Sequence, residues 1–326
     1  MFSARKRSTV ELTQLIQTLS GEYGWTNLSL QAADRGFYGE TWVAEADQGR
    51  FFVKLIAYRR HMAGFLQSLP VVCRMNDMGL DFISRPLATS SGDWFVLVLD
   101  GVLAAFRFEE GLHTEEYPLE KLFVRMADVY RLPTQDLELP WEQFGMNEYL
   151  GYREALAIAR ASDAPAVKRA RAVIDAHQSR LTACEAVLRQ MIPVCRDLPV
   201  HRVVTSGDVG GNVLLRDGEM IVLDWDQLMI APAERDLWFY MQDMRQIDLI
   251  DEILEQEHMP FRMHPPILAY YACSRTFFYL REYLFASMAE DGERTEAQLQ
   301  EFFDTHVRKC VGQAERIAAQ IRGEKR

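Results

Sequence analysis

The chain has little to cross-link it, no long apolar run and no surplus of positive charge. Five cysteines in 326 residues, Cys73, Cys184, Cys195, Cys273 and Cys310, stand far apart without a C-x-x-C pair. That spacing excludes a disulfide framework and a zinc knuckle and fits a reducing, cytoplasmic setting. The seven histidines are scattered without the i, i+4 spacing of a transition-metal site, so any metal is expected on carboxylates. No stretch approaches the ~18 uninterrupted apolar residues of a membrane span, and no apolar run follows the basic residues of MFSARKR, so neither anchor nor leader is expected. Lys and Arg number 36 against 47 Asp and Glu, a net charge of −11. An acidic surface repels polyphosphate, which disfavours nucleic acid and favours cationic small molecules. What is present is 48% hydrophobic and 25% charged residues, the balance of a globular protein long enough for two lobes.

The first hundred residues read as a short helix followed by strands and turns. Val10, Leu12, Leu15, Ile16 and Leu19 fall at helical spacing, and Gly21 and Gly24 break the pattern. After Arg35-Gly36-Phe37-Tyr38-Gly39-Glu40 come a short strand at Trp42-Val43-Ala44, the turn Asp47-Gln48-Gly49 and the strand Phe51 to Ile56, a hairpin pattern. In that second strand Phe51, Val53 and Leu55 share one face and Phe52, Lys54 and Ile56 the other. A lysine in an apolar strand is costly unless its amine reaches a partner or a cleft. A helix is expected around Met62 to Met78 and a buried strand at Trp94 to Leu99. Beyond Gly101 the pattern becomes helical, with helices at about 119–130, 141–160, 165–191, 233–257, 265–288 and 295–322 and prolines between them. The expected lobes are therefore 1–100, β-rich, and 101–326, mainly helical.

One strand-like segment interrupts the helical half. Residues 203–226 read VVTSGDVGGNVLLRDGEMIVLDWD. Two apolar strands flank Asp217-Gly218, a strong hairpin signal, so Asn212 before the outgoing strand and Asp224 after the returning one are set side by side. Asp208, on the Gly-rich loop before the hairpin, can reach the same spot. Two carboxylates and an amide oxygen are hard ligands and bases suited to Mg²⁺. Phosphoryl transfer needs such a set: a metal on the phosphates, a cation such as Lys54 beside them, and a carboxylate to take the proton of the attacking hydroxyl. Each residue also has a plainer reading, as a turn former, a strand cap or a lysine at a sheet edge.

The order of these elements resembles the aminoglycoside phosphotransferase and choline kinase group, a branch of the protein-kinase-like fold. VLDWDQLMIAPAERDLWF, residues 222–239, is similar to the spectinomycin phosphotransferase branch in its D-W-D, A-P and E-R-D-L elements. The resemblance implies an α+β, two-lobe fold with a small β-rich N-terminal nucleotide-binding lobe and a larger helical C-terminal lobe. It implies transfer of the γ-phosphate of ATP or GTP to a hydroxyl of an aminoglycoside-like or aminocyclitol-like acceptor, an antibiotic-resistance activity. Asp208 would be the catalytic base, Asn212 and Asp224 would hold Mg²⁺, and Lys54 would contact the α/β-phosphates. Gly36 and Gly39 would belong to the loop over the phosphates, Asp226 would assist the metal or orient its loop, and Asp236 would be structural.

Three features depart from the family pattern. Ser206 stands where the family has His, Asp208 and Asn212 are four residues apart rather than five, and Leu55 through Asn76 offers no acidic residue to pair with Lys54. Glu40, Asp77 and Asp224 are the candidate partners. The acidic run 243–257 would suit a cationic acceptor, but a charge run reads first as a solvated helix face. The aromatics Tyr270, Tyr271, Phe277, Phe278, Tyr279 and Tyr283 read first as core. Two alternatives stay open: a kinase of a metabolic hydroxylated molecule, and a nucleotide-binding kinase-like protein with degraded catalysis.

Overall fold

The structure, a computed structural model, describes residues 9–33, 39–98, 101–114, 116–288 and 293–323. The chain divides into two compact units: Met1–Pro118, Gln135–Leu139 and Gly211–Leu228 form the first, and Leu119–Thr134, Pro140–Gly210 and Met229–Arg326 the second.

The first unit opens with α1 (Thr9–Tyr23), β1 (Ser29–Ala32), β2 (Glu40–Ala46), β3 (Gly49–Ile56), α2 (Arg59–Asp77), β4 (Val96–Val98), β5 (Gly101–Arg107) and β6 (Leu112–His113). β1 to β5 form an antiparallel sheet in the order β1-β2-β3-β5-β4. The alternation read in β3 sorts its side chains. Val53 and Leu55 pack with Leu15 and Leu19 of α1, Trp42, Leu103 and Ala105, whereas Ile56 packs with Phe65 and Leu69 of α2, Val102 and Ala104. Lys54 therefore belongs to the face that α2 covers.

Gly101 does not open a helical region. It begins β5, a central strand paired with β3 from Phe51↔Arg107 to Ile56↔Val102. Its Ala104 and Ala105 are buried on opposite faces of the sheet, so the run GVLAAF shows no polar–apolar alternation to betray a strand. β4 is an edge strand rather than a buried one, with Leu97 71% exposed, and Leu99 lies outside the described residues.

The helical elements of the second unit begin with α3 (Leu119–Tyr130), α4 (Asn147–Arg160), α5 (Pro165–Ala176) and α6 (Gln178–Asp197). The run expected as one helix over 165–191 is thus two, broken at His177, and the second continues through Pro193. The strand-like segment gives β7 (Val203–Thr205), β8 (Val213–Arg216), β9 (Glu219–Val222) and β10 (Met229–Ala231). β8 and β9 form the expected hairpin about Asp217 and Gly218, at φ +52° and +84°, the left-handed pair that a two-residue turn requires. They join β6 in a three-stranded sheet of the first unit, and β7 pairs with β10 in the second.

Residues 233–257 form a short α7 (Glu234–Leu237), a 3₁₀ turn (Trp238–Gln242) and α8 (Met244–Gln256). The single helix expected there is broken because Asp243, extended at φ −137°, caps α8 by accepting the Arg245 N–H. α9 (Pro265–Ser287) is buried along nearly its whole length and packs against α4 and α6, as a helix apolar all round must. α10 (Glu293–Glu301) leads through a π-helical segment (Phe302–Val311) into α11 (Gly312–Ile321). Among the described residues no helix is long and apolar enough to cross a membrane.

Candidate active site

In the first unit the hairpin positions the oxygen ligands. The Leu223 N–H donates to the Asn212 carbonyl at 2.8 Å, continuing the β8–β9 ladder beyond Val213↔Val222. Asn212 and Asp224 therefore stand at the same end of the hairpin, as the turn requires. Asp224 then departs from strand geometry at φ +64°, a left-handed conformation that costs a non-glycine residue energy and recurs at functional sites.

Lys54 reaches this end. It pairs with Thr41 of β2 and Ala104 of β5 in the sheet and is only 7% exposed. Its Nζ donates to Asp224 Oδ1 at 2.7 Å and forms an even shorter ion pair with Asp226 Oδ2. Of the three candidate partners, Asp224 forms an ion pair with the lysine, and Asp226, which was not among them, forms a second. Burial alone would lower the lysine's pKa; the two carboxylates outweigh it and hold the ammonium above its ordinary value. Burial acts to raise Asp224, but the lysine overcomes it and keeps that carboxyl below the usual range. Asp226 goes the other way, raised by burial and by Asp224 against the pull of Lys54. One ammonium cannot fully compensate two buried carboxylates.

α2, which lacks an acidic residue facing this group, contributes a hydroxyl nearby. Ser68 Oγ donates to the Gly64 carbonyl at 2.7 Å and accepts the Leu228 N–H at 3.1 Å, tying the far end of the D-W-D segment to the helix. Trp225 holds the middle, its Nε1 donating to the Val222 carbonyl at 2.9 Å. Gly39 lies against β3 so closely that a Cβ there would sit 2.3 Å from the Leu55 carbonyl oxygen; backbone packing alone demands glycine. Gly36 lies outside the described residues.

Asp208 belongs to the second unit, on the loop after β7. Its carboxylate is half-buried and accepts the Tyr279 hydroxyl proton on Oδ2 at 3.0 Å. The loop is held by backbone bonds. Gly207 N–H donates to Asp236 Oδ1, Tyr130 Oη donates to Asp236 Oδ2 at 3.1 Å, and Trp238 Nε1 donates to the Gly207 carbonyl at 3.0 Å. Gly207 itself sits at φ +83°, and a Cβ there would come within 2.6 Å of the Arg235 guanidinium carbon. Burial raises the Asp236 carboxyl to about 6 despite Arg235 and these donors. Ser206 is buried, and its hydroxyl has no hydrogen-bond partner among the described residues.

The other features singled out in the sequence resolve simply. Acids of 243–257 are met by local arginines: Asp243 by Arg245, Asp251 and Glu255 by Arg262, and Glu257 by Arg131. Of the six aromatics singled out on α9, five are buried, and Tyr279 is the half-buried one that reaches Asp208. Among the described residues no group of three or more His, Cys, Asp or Glu could hold a metal. One carboxylate and one amide from the protein suit Mg²⁺, which takes its remaining oxygens from phosphates and water.

No protein-family model matches the chain, and no curated protein matches it in sequence. Solved structures share its fold. A spectinomycin phosphotransferase in complex with ADP and spectinomycin gives a TM-score of 0.70 at 17% identity, over 94% of this chain and all of that one. A microcompartment-associated aminopropanol kinase gives 0.62 at 12% identity, over 96% and 98% of the two chains. A type I macrolide 2′-phosphotransferase gives 0.57 at 15% identity, over 92% and 99%. At such identities the likeness is one of fold: the chain has the protein-kinase-like fold of the aminoglycoside phosphotransferase group.

Proposed function

We propose that the chain is a small-molecule O-phosphotransferase that moves the γ-phosphate of ATP or GTP to a hydroxyl of a small, cationic acceptor. Asp208 takes the acceptor's hydroxyl proton, Lys54 neutralises charge on the α/β-phosphates, and Asn212 and Asp224 hold Mg²⁺. The metal, when bound, supplies charge neutralisation across the phosphate oxygens. Gly36 and Gly39 belong to the loop over the phosphates. The single observation that carries this reading is the pairing of Lys54 with Asp224 at 2.7 Å, a strand lysine meeting the carboxylate behind the hairpin across 170 residues of sequence. A structural lysine needs one counter-charge; one meeting two carboxylates in a place suited to oxygen-bound metal is suited to phosphate chemistry.

An aminocyclitol-like acceptor is the first reading of the substrate. The second is a small metabolic amino alcohol, and one observation favours it: the acids of 243–257 are largely spent on Arg131, Arg245 and Arg262, leaving less negative charge there for a polycation. Transfer from γ-labelled ATP or GTP to a panel spanning spectinomycin and 1-amino-2-propanol separates the two. Asp208→Asn keeps the size of the side chain but cannot accept the proton, so kcat should fall by about two orders of magnitude or more with nucleotide affinity little changed. Normal turnover in that variant would rule Asp208 out as the base. A nucleotide that binds without any transfer would favour the degraded-catalysis alternative.

A further inference from the structure

The sequence offers α9 as a core helix, and most of it is. Tyr279 is the exception, because its hydroxyl leaves the core and donates to Asp208 Oδ2 at 3.0 Å. The ring is firmly held. Its centroid lies 5.4 Å from that of Trp238 and 5.7 Å from that of Phe302, and the Arg275 guanidinium, one helical turn earlier, lies 5.3 Å from it. Trp238 in turn bonds the carbonyl of Gly207, so two aromatic rings packed at a tilt of 34° grip adjacent residues of one loop.

We propose that Tyr279 is a positioning residue for phosphoryl transfer: it fixes the plane of the Asp208 carboxylate that receives the acceptor's proton. This rests on the reading of Asp208 as the base. A carboxylate turns readily about its last side-chain torsion, which is broad and nearly two-fold, and glycines flank this loop at 207, 210 and 211. A donor on a rigid helix selects one orientation, and reacting groups held in one orientation avoid the entropic cost of finding it. An ionised carboxylate has about four acceptor positions, and the phenol uses one.

The device works only if the phenol stays protonated. Burial first and the Asp208 charge second push the Tyr279 hydroxyl well above its ordinary pKa, outweighing the opposing Arg275 guanidinium, so it remains a donor throughout the neutral range. During transfer the acceptor O–H bond breaks and its proton passes to Asp208. The acceptor oxygen bonds to the γ-phosphorus, and the bond from that phosphorus to the nucleotide's bridging oxygen breaks. Tyr279 keeps its own proton.

Tyr279→Phe removes the hydroxyl and keeps the ring against Trp238 and Phe302. With γ-labelled ATP and the acceptor panel above, kcat should fall about tenfold or more while KM for ATP stays within about twofold. In an Asp208→Asn background the same change should have no further effect, because the group it orients is gone. Crystals of Tyr279→Phe should show the Asp208 carboxylate in more than one orientation where the wild type shows one. An unchanged kcat and a single unchanged orientation, beside an inactive Asp208→Asn, would overturn the role of Tyr279 and leave Asp208 as the base. A full additional loss in the double variant would also overturn it, since Tyr279 would then act elsewhere. Normal turnover in Asp208→Asn alone would instead overturn the reading of the base, and this proposal with it.

Discussion

Lys54→Met tests the electrostatics of the first unit most directly. Methionine nearly matches the lysine stem in volume, so packing between β3 and α2 is retained while the ammonium is lost. The lysine is 7% exposed and engages Asp224 and Asp226 together. Removing one member of a buried ion pair typically costs 3–5 kcal/mol, because the opposite charge is left without compensation. Here the Asp224 side chain keeps 28% of its exposure and water relieves part of that penalty, so the low end applies, about 3 kcal/mol. For a unit of this size that is a fall in Tm of roughly 10 °C. Asp226→Asn should cost less, since burial and Asp224 already raise that carboxyl towards its neutral form, to about 7. The double variant should melt above Lys54→Met, because it discards one of the two stranded carboxylates. Thermal unfolding of the four proteins completes the cycle. Losses that simply add, or a Lys54→Met protein melting within about 2 °C of wild type, would refute the reasoning. Titration calorimetry with ATP then asks about function: equal dissociation constants for wild type and Lys54→Met would remove the lysine from the nucleotide site.

Two further outcomes concern the loop of the second unit. Ser206→Ala deletes a buried hydroxyl without a hydrogen-bond partner among the described residues, so the protein should gain about 1 kcal/mol, read as a higher denaturant midpoint at unchanged slope; a clear loss would mean the hydroxyl is satisfied. Asp236 gives a pH dependence. Its folded pKa, about 6, lies above the ordinary 3.8, so the folded state binds the proton more tightly and the associated stability is full below pH ~4 and lost as pH rises to about 6. At about 1.4 kcal/mol per pKa unit, wild type should lose about 3 kcal/mol more than Asp236→Asn between pH 4 and 7, and parallel stability curves would contradict the assignment.

The parts of the fold legible in the sequence are those fixed by short-range rules. Asp217-Gly218 announces the β8–β9 hairpin through its backbone angles, and the two-residue period of Phe51 to Ile56 sorts Lys54 to the α2 face. β5 is hidden because a strand buried on both faces has no polar alternate residue. The break between the 3₁₀ turn and α8 depends on one capping aspartate within an otherwise continuous helical pattern. In the candidate site, Lys54 and Asp224 were legible as a strand lysine and a carboxylate at a hairpin's end. The engagement of Asp226 was not, because it depends on how the chain leaves β9 at a left-handed Asp224. Nor did any periodicity distinguish Tyr279 from its buried neighbours on α9; that needs the path of the Asp208 loop.

The first unit is assembled from three separate stretches of chain, and the last of them, Gly211–Leu228, is sequence-distant from the rest. It supplies the Asp224 and Asp226 counter-charges of Lys54 and the two strands that join β6 in the three-stranded sheet. A fragment cut after Pro118 would carry the five-stranded sheet with a buried, uncompensated ammonium in it. The unit is therefore a product of the completed chain: a ribosome must have released residue 228 before the lysine synthesised at position 54 can be neutralised by Asp224 and Asp226. The same topology frustrates domain transplantation, since exchanging the first unit for another would require grafting a hairpin from deep within the helical half as well.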